Sequence, residues 1–327
     1  MNQVSVIIPN FNADKYIKEC IDSILYQDYD DIQIVIIDDG SIDQSWEIIQ
    51  NYTSRHKNII AKRQYNLNAS IARNTGMKMA TGDYFLFLDS DDILELGAIR
   101  KMVFAIENQN VDLVIGNYTV FDSNRNIHKY EQITKKNTLV ANPFTLVGIV
   151  PNPTTKLYKK DIIYKNNIFW GNVRIGQDLN FFLKYLSCIH NAYLLNENIY
   201  NWRRVNTSIT NSYSFHIFDI TTTFKDIFNF YQNNNLLNKY YQYISVIEFR
   251  HYYQQMEKQK FFHKLSERKL IIHYFSYYLN SLDLKEALNY KEFKSEIYKC
   301  KFKLLLRRLY ISKIYKFLDR NFTRRRQ

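Results

Sequence analysis

Residues 4–9, VSVIIP, are a short β-branched run closed by a proline, and over residues 14–26 Tyr16, Ile17, Cys20, Ile24 and Leu25 recur at helical spacing. A strand, a loop and a helix are predicted in that order. Residues 32–37 make a second, almost wholly apolar strand that stops at Asp38-Asp39-Gly40-Ser41, and Asp43 stands where the N-cap of a helix over 44–52 is expected. The pattern repeats with a strand over 59–64, a helix over 70–80, and a fourth strand over 84–88 that runs into Asp89-Ser90-Asp91-Asp92. Apolar strands alternating with helices predict a parallel sheet covered on both faces. From Leu113 the alternation weakens into short strands, with a polar stretch over 122–138 and a loop around Pro151-Asn152-Pro153. Beyond Thr210 the pattern is helical and contains neither Pro nor Gly. The expected fold is therefore α/β over 1–210, in two halves at 1–100 and 101–210, followed by an α-helical region at 211–327.

Open sheets of this kind bind ligands beyond the carboxyl ends of their strands. Those ends here are Pro9-Asn10, Asp38-Asp39 and Asp89 to Asp92. An apolar strand needs no acidic cluster to end it, so two such clusters on one edge point to a site.

Composition adds a location rather than a chemistry. The chain has 327 residues and a formal net charge of +12, but residues 1–200 carry 20 basic and 22 acidic side chains, against 24 and 10 in residues 201–327. Eleven basic residues and one acidic one, Asp319, lie from Lys299 onward. Hydrophobic content of 46% with 23% charged residues argues for a globular chain. Cys20, Cys188 and Cys300 form no CxxC pair, which argues against a disulfide framework or a zinc-thiolate site and fits a reducing compartment. No secretory signal pattern is visible at the N-terminus. The longest apolar runs fall far short of the ~20 residues a spanning helix needs.

Carboxylate oxygens after a buried strand suit Mg2+ or Mn2+ bridging a substrate diphosphate. An isolated DxD is more often a solvated turn or cap, so the pair Asp89/Asp91 says little alone. An Asp at a strand end can accept from an imide or a ribose hydroxyl, and Asp39 follows the second strand. In Asn66 to Gly76, NLNASIARNTG, Arg73 could hold a phosphate or simply pair with a carboxylate.

The ordered set VSVIIPNFN, IDDGSID, NLNASIARNTG and GDYFLFLDSDD resembles the N-terminal half of glycosyltransferase family 2 over roughly residues 3–100. The resemblance implies a GT-A fold, that is, a Rossmann-like, mostly parallel sheet flanked by helices. It also implies inverting transfer from a nucleotide-sugar donor, with UDP-sugar the expected type. By the same resemblance Pro9, Asn10, Asp39, Asn66, Arg73 and Ser90 would form the nucleotide pocket, and Asp89 and Asp91 would hold Mn2+ or Mg2+. Asn68 stands where many relatives have Gly. Pro153 to Tyr158 resembles the family's KLY segment on the acceptor side, which includes Lys156. Gly176-Gln177-Asp178 resembles its Glu-Asp motif, so Asp178 would be the catalytic base, with Gln177 in place of the acceptor-contacting Glu. Tyr200 to Thr210, YNWRRVNTSIT, resembles a segment closing over the diphosphate, which implicates Arg203 and Arg204.

The expected function is metal-dependent transfer of a sugar to a hydroxyl of a saccharide acceptor, free or lipid-linked, in bacterial capsule, cell-wall or exopolysaccharide synthesis. The alternative is a noncatalytic nucleotide-sugar-binding or scaffolding subunit, in which Gln177 marks a decayed acceptor site. In the tail, Ile311, Tyr315, Leu318 and Phe322 share one helical face, with Lys313, Lys316, Arg320 and Arg324 roughly opposite. A basic amphipathic helix over 299–327 suits an anionic membrane surface, which would place the protein in the cytoplasm at the inner face of the membrane. Packing on the helical region and oligomer formation through the C-terminal helices are the other readings. Nucleic acid is not an expected partner, because no binding module accompanies the charge.

Overall fold

The computed structural model of the chain describes residues 2–122, 127–130, 133, 136–173, 175–204 and 215–282. Two compact units divide it: Met1–Ser212 with Thr222–Asn234, and Tyr213–Thr221 with Asn235–Gln327.

The first unit begins with β1 (Val4–Asn10), α1 (Ile17–Leu25), β2 (Ile32–Asp38), α2 (Ser45–Arg55), β3 (Ile59–Arg63), α3 (Ala69–Met79) and β4 (Tyr84–Phe87). These follow the predicted strands and helices to within a few residues. β1 pairs in parallel with both β2 and β4, and β2 pairs in parallel with β3. Val4, Val6, Ile7 and Ile8 are all fully buried, so β1 is covered on both faces. Burying each such side chain contributes about 1.5–3 kcal/mol. α3 presses so closely on β1 that a Cβ at Gly76 would come within 2.5 Å of Ile7 Cγ2.

The helix over 44–52 begins one residue later than predicted. Asp43 still serves its start, because Asp43 Oδ1 accepts from Ser45 N at 3.0 Å while Oδ2 accepts from Asp14 N at 3.0 Å.

Beyond the acidic turn come β5 (Ile93–Leu94), α4 (Ala98–Asn108), β6 (Leu113–Phe121), β7 (Ile127–Tyr130), β8 (Thr138–Val140), β9 (Lys156–Lys159), α5 (Lys160–Lys165), α6 (Gln177–Cys188) and β10 (Ala192–Arg203). The described strands run in the order β3-β2-β1-β4-β9-β6-β10-β5, with β7 on β6 and β8 on β10. The expectation of only short strands after Leu113 fails for β6, which has nine residues, all buried, and for β10, which has twelve. Buried on both faces, β6 shows no alternation to read. β9 enters antiparallel between β4 and β6. It thereby joins the parallel half of the sheet to the mixed half, and Trp170, before α6, packs against Phe87 at the end of β4.

α7 (Asp219–Asn233) has its later turns in the first unit, where Lys184 Nζ and Asn180 Nδ2 both bond Asp226 Oδ2, at 2.6 and 2.8 Å. The second unit contains α8 (Leu237–Glu257) and α9 (Leu265–Ser281). Tyr252 of α8 packs against Phe275 and Tyr278 of α9, and Phe218, just before α7, packs against Tyr274 and Phe275. No helix among the described residues is long and apolar enough to cross a membrane. The basic tail expected to lie on a membrane falls outside the described residues.

Candidate active site

The parallel register sets Asn10 beside Asp38 and Asp38 beside Arg63 at the carboxyl edge of the sheet. Asn10 is fully buried there. Its amide donates to Asp38 Oδ1 at 2.8 Å and to Ser41 Oγ at 3.2 Å, so it braces two strand ends. Asp39 organises the loop before α3: Oδ1 accepts from Gln64 Nε2 (2.8 Å) and Leu67 N (3.0 Å), and Oδ2 from Asn68 N (2.8 Å). Gly40 makes this possible, because at φ +81° it turns the chain where a Cβ would meet Asn66 N at 3.0 Å. Pro9 is half-buried and Asn66 exposed at this edge. Phe11, which the sequence reading passed over, shows 47% of its surface one residue beyond β1. Only its type, an aromatic at a strand end, could have drawn attention to it.

Asn68 adopts φ 92°, ψ 162°, a backbone region that favours glycine. That conformation suits the Gly that the resemblance leads one to expect at this position. Here Asn is held by its backbone N on Asp39, by its own Oδ1 accepting from Ile71 N at 3.2 Å, and by its amide donating to Asn172 Oδ1 at 3.0 Å.

Arg73 is buried. Its Nη2 lies 2.7 Å from Asp89 Oδ1 and its Nη1 3.6 Å from Asp178 Oδ1, while the guanidinium covers the Trp170 ring at 4.8 Å. Burial works against its charge, and Asp89 and Asp178 more than restore it. One buried cation thus joins the acidic turn after β4 to the first turn of α6.

Ser90 is buried between the two aspartates, and Asp89 keeps 39% of its side-chain surface exposed. Burial, reinforced by Asp89, pushes the Asp91 carboxyl up to about 6. Asp92 has a different task. It is almost wholly buried, accepting from the Tyr200 hydroxyl and from Arg203 N at 2.6 Å, and so fastens the acidic turn to β10.

Asp178 stands in the first turn of α6 behind Gly176, where the helix dipole favours an anion. Burial raises its carboxyl above the ordinary value of 3.8 and Asp89 adds to this, against Arg73 and Lys156. Gln177 Oε1 accepts from the Ser70 hydroxyl.

Two expected roles change. Arg203 is not poised for a diphosphate: Nε donates to Asp91 O at 2.7 Å, Nη2 meets Glu19 Oε2 at 2.6 Å, and the Tyr16 and Phe121 rings flank it. It buttresses the acidic turn from behind. Arg204 is exposed, and the rest of the expected closing segment, 205–210, lies outside the described residues. Lys156 likewise does not line an open acceptor surface. Its fully buried Nζ donates to Val150 O (2.8 Å), Asn152 O (2.5 Å) and Asn152 Oδ1 (3.3 Å), with Phe182 beneath at 4.8 Å. Burial pulls its amine down to about 7. Lys156→Met keeps the stem but strands these acceptors, and a loss of about 1–3 kcal/mol is expected in urea unfolding.

Asn74 and Trp170 also went unnoticed in the sequence. Asn74 and the Trp170 backbone exchange two hydrogen bonds, at 3.0 and 2.9 Å. With Asn68–Asn172, Ser70–Gln177 and Arg73–Asp178 they join α3 to the segment 170–178 along its length.

The chain was compared with known proteins. The profile of glycosyl transferase family 2 matches residues 5–166. Glycosyltransferase GlyG of Streptococcus pneumoniae serotype 4 is 30% identical over 220 residues, covering 63% of this chain and 72% of GlyG. Poly(ribitol-phosphate) beta-N-acetylglucosaminyltransferase TarP of Staphylococcus aureus is 32% identical over 196 residues, 57% of this chain and 58% of TarP. The chain thus spans less than two thirds of TarP's length. The crystal structure of S. aureus TarS 1-349 in complex with UDP-GlcNAc aligns with TM-score 0.68 at 20% identity, covering 83% of this chain and 79% of that one. At that identity the likeness establishes the fold, which is the α/β architecture expected from the strand pattern. The match covers Asn10 and Asp39 at the strand ends, Arg73 on α3 and the acidic turn, and the chain is a member of glycosyl transferase family 2.

Proposed function

We propose that this chain transfers a sugar from a UDP-sugar donor to a hydroxyl of a bacterial surface saccharide, with inversion and with Asp178 as the base. The observation that carries this reading is the Asp89–Arg73–Asp178 chain of charge, which sets a raised carboxylate beside an acidic turn. TarP, by its name, glycosylates a poly(ribitol-phosphate), and TarS was crystallised with UDP-GlcNAc; both support a wall or capsular acceptor and a UDP-linked donor.

An acceptor alcohol is a poor nucleophile until a carboxylate takes its proton as it attacks. Burial raises the Asp178 carboxyl toward a better base, and the Arg73 charge opposes that rise. In this reading Asp39 shapes the loop that receives the nucleotide and Phe11 offers a ring face to the base. Asp89 and Asp91 fit a divalent ion, because the Asp91 carboxyl is raised by burial and by the neighbouring Asp89 charge, which a cation would relieve. No cluster of three or more metal-binding side chains occurs among the described residues, so such an ion would draw its remaining ligands from diphosphate and water. Bound there, Mn2+ or Mg2+ supplies positive charge to the departing diphosphate.

The test is incubation of the full-length protein with a panel of nucleotide sugars, with and without Mn2+, reading released nucleotide. Release of nucleotide from no donor overturns the reading and favours a noncatalytic subunit. Asp91→Asn is expected to remove the metal-dependent part of donor binding and also to stabilise the fold. Because the folded carboxyl titrates near 6, above 3.8, the folded chain holds an extra proton between those values, and stability falls as pH rises through that window. At pH 7.5 the neutral Asn escapes that cost, and a melting temperature higher by a few degrees is expected. Membrane attachment through 299–327 is part of the proposal; flotation with anionic liposomes, with and without the tail, tests it.

A further inference from the structure

Four polar atoms around the base are buried without a hydrogen-bond partner: Asp178 Oδ1, Arg73 Nε, the Tyr158 hydroxyl and Trp170 Nε1. They come from α6, α3, β9 and the segment before α6. Tyr158 is fully buried and its ring is fixed edge-on by Phe87 (5.8 Å), Phe181 (5.5 Å) and Tyr185 (4.9 Å). Trp170 lies flat on Phe181, with centroids 4.3 Å apart and planes 5° from parallel, beneath the Arg73 guanidinium. The hydroxyl therefore has little freedom to seek a partner elsewhere, and its ring packs on Phe181, one turn along α6 from Asp178.

A phenylalanine would make the same ring contacts without burying a polar atom. Buried hydroxyls left unpaired are costly, and protein interiors satisfy nearly all of them, often through ordered water. The charged groups bearing on Asp178 are Arg73 from α3, Asp89 from the turn after β4, and Lys156 from β9. None of them donates a hydrogen bond to Oδ1, since Arg73 Nη1 stays 3.6 Å away.

We propose that Tyr158 is a positioning residue for the Asp178 carboxylate, its hydroxyl holding Oδ1 through one buried water shared with Arg73 Nε, so that Oδ2 is left to meet the acceptor hydroxyl. This rests on reading Asp178 as the base. Two donors and one carboxylate oxygen are within the two to four partners a buried water requires. The orientation of the base is then set from β9.

The test uses the full-length protein labelled with 13C-aspartate, in wild type and Tyr158→Phe, with the Asp178 carboxyl resonance identified by its loss in Asp178→Asn. The expected result is a displaced Asp178 resonance, other aspartates in place, an unchanged melting temperature, and kcat reduced about tenfold at unchanged donor KM. An Asp178 resonance that does not move overturns the proposal. So does a general displacement of resonances with a lower melting temperature, which would show that the hydroxyl serves the fold. The resonance is read without turnover, so the result stands apart from whether any nucleotide sugar is accepted.

Discussion

Asp178→Asn is expected to slow transfer by about 10²–10⁴-fold while leaving donor affinity within a factor of two, since general-base assistance is worth about that much. The amide has the shape of the carboxylate but cannot take a proton at neutral pH. Arg73 keeps its closer partner, Asp89, at 2.7 Å, so the acidic turn stays braced. Because the lost interaction forms fully only as the acceptor proton moves, kcat should carry the loss and donor KM should not. Isothermal titration with UDP, alongside single-turnover transfer, separates the two. Loss of UDP binding would mean that Asp178 acts by holding Arg73 and the acidic turn, and it would remove the base assignment.

Arg73→Met should damage both fold and chemistry. Breaking a buried ion pair leaves its partner uncompensated at a cost of about 3–5 kcal/mol. Asp89 and Asp178 keep 39% and 37% of their side-chain surface exposed and can draw on water, which places the expected loss at the low end, about 3 kcal/mol, in urea unfolding. The sign of the chemical effect follows from the charges. Without the guanidinium, burial and Asp89 act on Asp178 opposed by Lys156 alone, so its carboxyl rises further and the acidic limb of the transfer profile moves to higher pH. Arg73→Lys restores charge without the planar fork that reaches both carboxylates, and recovery of stability ahead of activity is expected. A pH profile unchanged in Arg73→Met would show that the guanidinium does not act on the base.

Both variants turn on a contact between Arg73 and a residue 105 positions later. Sequence pattern read the frame well. Four strands, their helices and the polar turns between them were legible because β1, β2 and β4 are buried on both faces and each ends at an abrupt change of polarity. The candidate residues at those turns were legible for the same reason, and the resemblance supplied their roles. β5 was missed because two residues carry no periodicity, and β9 because nothing in KLYK shows that it will be inserted antiparallel in mid-sheet.

Single side chains were a different matter. Arg203 and Lys156 read as cations available to ligands, since residue type reports charge but not what that charge meets. In the folded chain Glu19 and the Asp91 carbonyl take the first, and the Val150 and Asn152 carbonyls surround the second. Asn68 shows the reverse case. Its departure from Gly was visible in the sequence, and the φ of 92° that suits a Gly there was not.

What the sequence determined by itself was the order of strands and helices and the edge on which the acidic turns emerge, because hydrophobic alternation and chain polarity are local properties. What only the tertiary structure decided was which groups share a charge. Arg73 between Asp89 and Asp178, and Tyr158 behind the carboxylate, depend on α3, β9 and α6 converging from distant parts of the chain. Electrostatic interaction follows distance and burial in space, and neither is written at any single position.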